Sequence, residues 1–319
     1  MSRYFGLLGI FLSLNLNAQN DYVHHLIEIT TNEDSTELKF VKTPGLFEER
    51  WDTLAQPNFW RKVMRTPPDS CILNVAATRQ ILEMQSVSEW NKQSEDEKEA
   101  YRDTLRVRYG LAADERIFMT TGKSDFYQFD RVFPSISRGV EVFNKNNTDP
   151  WYAQAILMIE SPGKLAYSNA GALGPFQLMK SVARNHGLKV DKYVDERKDF
   201  DKSAYASAHL LRTGCIPEGK RIMRKFGMNI HGEEEHSLWF RLLVLHIYHA
   251  GAGNVENVMT HVVKPEETGI PLITTIWRSE YGNFRNSSQN YSQLALAAML
   301  ILDDLIYQKC TSFCDYAHQ

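Results

Sequence analysis

Apolar and polar positions fall along this chain in blocks that predict helices through most of its second half. From Trp151 to Ile159 nearly every residue is apolar or small, which suits a helix buried on most sides. Glu160 closes that run, and Ser161-Pro162-Gly163 follows as a helix-ending triplet. The stretch from Leu238 to Ile247 is apolar almost all round and therefore central; it leads into Tyr248-His249-Ala250-Gly251-Ala252-Gly253, whose glycines stop the helix and leave Tyr248 at an edge. Small residues at helical spacing in Ser203-Ala204-x-Ala206-Ser207-Ala208 allow two helices to approach closely. Ser287 to Tyr291 reads as a turn feeding a long apolar helix through Leu302.

Upstream, the pattern predicts a helix from roughly Val75 to Trp90 and a second, highly charged one from Ser94 to Tyr109, with Glu95, Asp96 and Glu97 in its first turn as the helix dipole favours. We draw a boundary at about residue 120: an N-terminal helical region of unknown role over 19–120 and a second domain over 121–319. No internal repeat is visible.

Composition changes this picture little. The 319 residues carry 43% apolar and 24% charged side chains, a mixture that folds as globular protein. A net charge of -3 without a long Lys/Arg run argues against a nucleic-acid partner. At the N-terminus, Met1-Ser2-Arg3, an apolar stretch from Phe5 to Leu14 and then Asn15 to Ala18 have the layout of a secretory signal peptide over 1–18, too short for a membrane span, so the mature protein is expected outside the cytoplasm, with no transmembrane span. Four cysteines, Cys71, Cys215, Cys310 and Cys314, are compatible with one or two disulfides or with buried free thiols. Cys310, Cys314 and His318 lack the second cluster a zinc site needs, and His246 with His249 lacks an acidic partner, so no metal is expected.

Candidate chemistry centres on Glu160. A carboxylic acid held against Ile156, Leu157 and Ile159 loses solvation in its charged form, so its pKa should rise toward the range of a general acid working near neutrality. Downstream, Gly171-Ala172-Leu173-Gly174-Pro175-Phe176-Gln177-Leu178-Met179 places glycines and a proline directly before an amide and a thioether, a loop that lets backbone come close to a ligand. Between Glu160 and Gln177 there is no second carboxylate of the kind two-carboxylate glycosidases use.

Glu160-Ser161 followed by Gly171-Ala172-x-Gly174-x-x-Gln177-x-Met179 resembles the first two motifs of the lytic transglycosylases of glycoside hydrolase family 23, lysozyme-like enzymes that cut peptidoglycan. Tyr248 with Ala250-Gly251 resembles the family's Tyr-Asn-Ala-Gly motif, with His249 where asparagine is usual, and Tyr291 matches the tyrosine that opens the family's final helix. The Asp195-x-Arg197-x-Asp199 string is similar to the membrane-bound lytic transglycosylase D branch. The spacing from Glu160 to Gly171 is one residue shorter than the family's usual pattern.

The resemblance implies a mainly α, lysozyme-like fold and cleavage of the β-1,4 bond between N-acetylmuramic acid and N-acetylglucosamine, forming 1,6-anhydro-N-acetylmuramic acid without a cofactor. It implies Glu160 as the single acid and base, Gln177 gripping the N-acetyl arm, Tyr248 and Tyr291 orienting, Met179 packing on the sugar, Ser161 steadying Glu160 and Ser168 lining the cleft. The partner is then a peptidoglycan glycan strand. Two alternatives on the same fold are a goose-type lysozyme-like hydrolase, which uses water, and a non-catalytic peptidoglycan-binding protein.

Overall fold

The computed structural model describes residues 26–30, 37–160 and 171–316, with the side chains of Ile29, Thr30 and Asp130 and those beyond Tyr307 excepted. The proposed signal segment 1–18 lies outside these residues. Strands β1 (Leu26–Thr30) and β2 (Glu37–Val41) form an antiparallel pair. After α1 (Gly45–Glu48) and α2 (Ala55–Arg65) come β3 (Ser70–Val75), β4 (Ile81–Ser86), α3 (Val87–Lys92), α4 (Glu95–Arg108) and β5 (Ile117–Thr121), with the three strands in the antiparallel order β4-β3-β5. Helices follow: α5 (Phe133–Lys145), α6 (Pro150–Glu160), α7 (Lys180–Asn185), α8 (Phe200–Leu210), α9 (Ile216–Lys225), α10 (Leu238–Ala250), α11 (Ala252–Val262), α12 (Gly269–Arg278) and α13 (Ser287–Tyr316).

The fold is mainly α, and α6 is its axis. Every residue from Pro150 to Ile159 is buried, as the unbroken apolar run requires. Helices α5 and α13 pack against it, and α10 packs on α13 in turn. At the α5–α6 crossing, a Cβ on Gly139 would stand 2.7 Å from a Leu157 methyl, so glycine there sets how closely the two helices approach.

The N-terminal region corrects one expectation. The segment Val75 to Trp90 is not one helix but the end of β3, a turn, β4 and the short α3. Its apolar positions suit either period over so short a run, and what decides is pairing of β3 with β5, whose residues lie more than 40 positions downstream. The second predicted helix forms as α4, closed by a capping box in which Ser94 and Glu97 satisfy each other's backbone N–H groups.

Two cores result. A small one, with Cys71, Leu73, Val75, Leu82, Trp90, Leu105 and Ile117, fills the space between the sheet and α4. The large one runs through the helices and also takes in Phe40, Trp51, Phe59, Val63 and Met64 from before residue 66. Polar bonds fasten this early segment to α6: the Val41 N–H donates to Gln154 Oε1 and Gln154 Nε2 donates to the Val41 carbonyl, each at 2.9 Å, and Trp151 Nε1 donates to Thr43 at 3.0 Å. Cys71 and Cys215 are buried free thiols in separate cores; the side chains of Cys310 and Cys314 lie outside those described.

Candidate active site

Glu160 is the last residue of α6, and the helix is built to hold it still. At the opposite end Asp149 caps the helix, accepting the Trp151 N–H at 2.9 Å, while its other oxygen pairs with Arg241 at 2.7 Å. The Arg241 guanidinium also lies over the Trp151 ring at 5.4 Å. Glu160 is partly exposed, yet desolvation pushes its pKa from the ordinary 4.5 up to about 7, with the Tyr291 hydroxyl pulling the other way. A carboxylate at a helix C-terminus also faces the negative end of the helix dipole, which opposes ionisation in the same direction.

Three phenols surround the acid. Burial raises the pKa of Tyr127, Tyr248 and Tyr291, and the charge of Glu160 adds to the rise in each. Tyr291, at the start of α13, is fully buried; its hydroxyl meets strict hydrogen-bond geometry with no protein atom among the described residues, yet it lies close enough to Glu160 to favour the carboxylate. Tyr248, near the end of α10, donates to the Phe176 carbonyl at 2.6 Å and lies 3.1 Å from the Ser207 hydroxyl, so one phenol ties α10 to the glycine loop and to α8. The small-residue face of α8 is what admits that contact.

The glycine loop is a tight reversal in which Leu173 and Leu178 exchange both backbone hydrogen bonds at 3.1 Å. Gln177 sits in the left-handed region at φ 47°, its Nε2 donating to the Gly174 carbonyl at 3.0 Å. Met179 follows, 42% exposed. The loop is held from behind by Arg197, which is wholly buried: its guanidinium pairs bidentately with Asp195 and donates to the carbonyls of Gly171 and Leu178, each at 2.9 Å. A Cβ on Gly174 would fall 1.9 Å from the Arg197 carbonyl oxygen. Asp199 meanwhile caps α8. The Asp-x-Arg-x-Asp string thus fixes the loop and starts the next helix.

The histidines of α10 divide. His246 is buried; Nδ1 lies 2.8 Å from the Ser288 carbonyl and Nε2 2.7 Å from the Ser292 hydroxyl, which also accepts from Trp277, and burial lowers its pKa to about 3. It is a structural residue. His249 is exposed and stacks on Tyr291. Among the described residues no group of three His, Cys, Asp or Glu is placed to hold a metal.

The structure therefore brings Glu160, Gln177, Met179, Tyr248 and Tyr291 to the ends of α6, α10 and α13 and the loop between them; Ser161 and Ser168 lie outside the described residues. Sequence reasoning missed Tyr127, which no motif marks, and the clamp made by Arg197, whose only signal was the flanking acids. A cavity of about 50 Å³ lined by Asp149, Tyr152, Arg212 and His236 is not part of this site. It lies at the other end of α6, eight residues or about 12 Å of helix from Glu160.

No curated protein matches the chain. A family model does match, over residues 141–268, the stretch that holds Glu160, the glycine loop, the Arg197 clamp and Tyr248, and its description is the Transglycosylase SLT domain. That stretch of the chain is similar to the transglycosylase SLT domain family, whose fold is lysozyme-like and whose members act on peptidoglycan.

Proposed function

We propose that the protein is a peptidoglycan lytic transglycosylase in which Glu160 is the single acid and base. The observation that carries this reading is a carboxyl raised to about 7 by burial, ringed by phenols, with no charged partner acting on it among the described residues. Protonated, Glu160 gives its proton to the oxygen between N-acetylmuramic acid and N-acetylglucosamine as the bond to the anomeric carbon breaks. As a carboxylate it then takes the proton of the muramyl C6 hydroxyl, whose oxygen closes on that carbon to give the 1,6-anhydro sugar. Proton and electron pair are both accounted for without water or a cofactor.

Gln177 grips the N-acetyl arm, Met179 packs on a sugar face, and Tyr248 and Tyr291 orient the loop and the acid, with Ser161 and Ser168 as further contacts. The Asp195 to Asp199 turn supports a place near the membrane-bound lytic transglycosylase D branch. Secretion by the N-terminal segment and action in the periplasm follow from the substrate. We retain 19–120 and 121–319 as functional divisions, the second carrying the chemistry.

Digestion of purified sacculi by wild type beside Glu160→Gln tests the assignment. Wild type should release muropeptides one water lighter than hydrolysis products by mass spectrometry, and Glu160→Gln none. Reducing-end products would instead make it a hydrolase, and binding without release by both proteins would make it a binding protein.

A further inference from the structure

The His249 imidazole lies flat against the Tyr291 ring, centroids 4.3 Å apart and planes inclined by 20°. Tyr291 is buried, and its hydroxyl lies close enough to Glu160 to favour the carboxylate. Where the ring sits against the acid is set by its packing, and the stacked imidazole is a solvent-exposed part of that packing. His249 makes no hydrogen bond or ion pair among the described residues, so the stack is what it does. We propose that His249 is a positioning residue for Glu160, its neutral ring holding the Tyr291 phenol at the acid and its protonation weakening the site at low pH. This rests on the function proposed above.

Among the described residues, the titratable groups around the imidazole are four. Across from it is Tyr291 of α13; on its own helix are Tyr248 and, one turn back, His246, which stays neutral throughout; beyond the Tyr291 hydroxyl is Glu160 of α6. Desolvation lowers the His249 pKa from 6.5, so the ring is neutral at neutral pH and gains its proton below the ordinary histidine range. A cation stacked on Tyr291 favours the ionised form of the carboxyl behind it. Glu160 then becomes a weaker base for the second proton transfer, from the C6 hydroxyl, and turnover falls. A single carboxyl acting alone has no reason to produce that acid limb.

The test measures kcat and KM for release of fragments from sacculi between about pH 4 and about pH 8, a span that brackets both groups. His249→Phe keeps a flat ring and cannot titrate; His249→Ala removes both properties. Wild type should show an acid limb that His249→Phe lacks, and His249→Ala should lose about tenfold in kcat with KM changed less than about twofold. An acid limb unchanged in His249→Phe, or wild-type kcat in His249→Ala, overturns the proposal. If wild type releases nothing, the functional assignment fails separately, and the coupling is read by NMR titration of the His249 ring protons. Their upfield ring-current shift should vanish in Tyr291→Leu and the imidazole pKa should fall in Glu160→Gln; no change in either variant overturns the inference.

Discussion

At the scale of single residues the controlling fact is the elevated pKa of Glu160. Between the ordinary 4.5 and about 7 the folded protein keeps a proton that the unfolded chain gives up, so this group's contribution to stability falls as pH rises through that window. The whole effect is at most on the order of 3 kcal/mol, and less where solvent reaches the carboxyl. Glu160→Gln, which cannot ionise, should therefore melt several degrees above wild type at pH values beyond 7 and match it below the carboxylate range, as thermal unfolding at both ends would show. Activity should decline above about 7 as the acid loses its proton. Tyr291→Phe removes the hydroxyl that favours the carboxylate, so the alkaline limb of kcat/KM should move to higher pH while kcat falls. A limb that stays in place would dissociate Tyr291 from the acid. Glu160 was legible in the sequence because a lone carboxylate ending an apolar run carries a desolvation cost that packing does not offset. Tyr127 had no such contrast, being one aromatic among Phe126, Phe129 and Phe133.

At the scale of elements the loop from Gly171 to Met179 and its Arg197 clamp make a discriminating comparison. Both Gly171 and Gly174 hold positive φ, at 86° and 88°, but a Cβ on Gly171 meets nothing within 4 Å whereas one on Gly174 collides with backbone. Gly171→Ala should cost about 1 kcal/mol of backbone strain. Gly174→Ala should cost clearly more, about 3 kcal/mol or beyond, because the Arg197 carbonyl cannot move without the clamp. Chemical denaturation of the two variants ranks them directly. Arg197→Met should cost about 3–5 kcal/mol, since it strands the Asp195 carboxylate and removes the donor to the Gly171 carbonyl and one of the two to the Leu178 carbonyl. The acids flanking Arg197 were visible in sequence; that they hold the glycine loop was not, because the contact joins residues 26 positions apart.

At the scale of the whole molecule the N-terminal region is a structural partner of the site. Trp60 donates to Gln293 at 3.1 Å and Arg79, buried among Phe59, Trp60 and Phe118, donates to Asn290 at 2.9 Å, so both reach the turn of α13 that carries Tyr291. Arg61 and Arg65 pair with Asp304 further along the same helix, each at 2.7 Å. Removing residues 20–120 would expose the α6 and α13 faces that Phe40, Phe59 and Val63 cover, and take Val41 from Gln154 and Trp60 from Gln293. The truncated chain should lack cooperative thermal unfolding and sediment as aggregate, even though it retains the whole of 141–268; a soluble, cooperatively melting fragment would show that the early segment is dispensable.

The sequence by itself determined the helical core, the acid and the order of the loop, tyrosine and final-helix motifs, because each is written in local terms: an apolar run, a helix stop, glycines at a turn. Tertiary structure alone decided that Val75 to Trp90 would be strand, turn and a short helix, that residues before 66 would join the large core, and that Tyr127 and His249 would meet the acid and its phenol. Those outcomes depend on contacts between residues far apart in the chain, whose free energy appears only when the elements close on one another, and no local pattern of side chains records it.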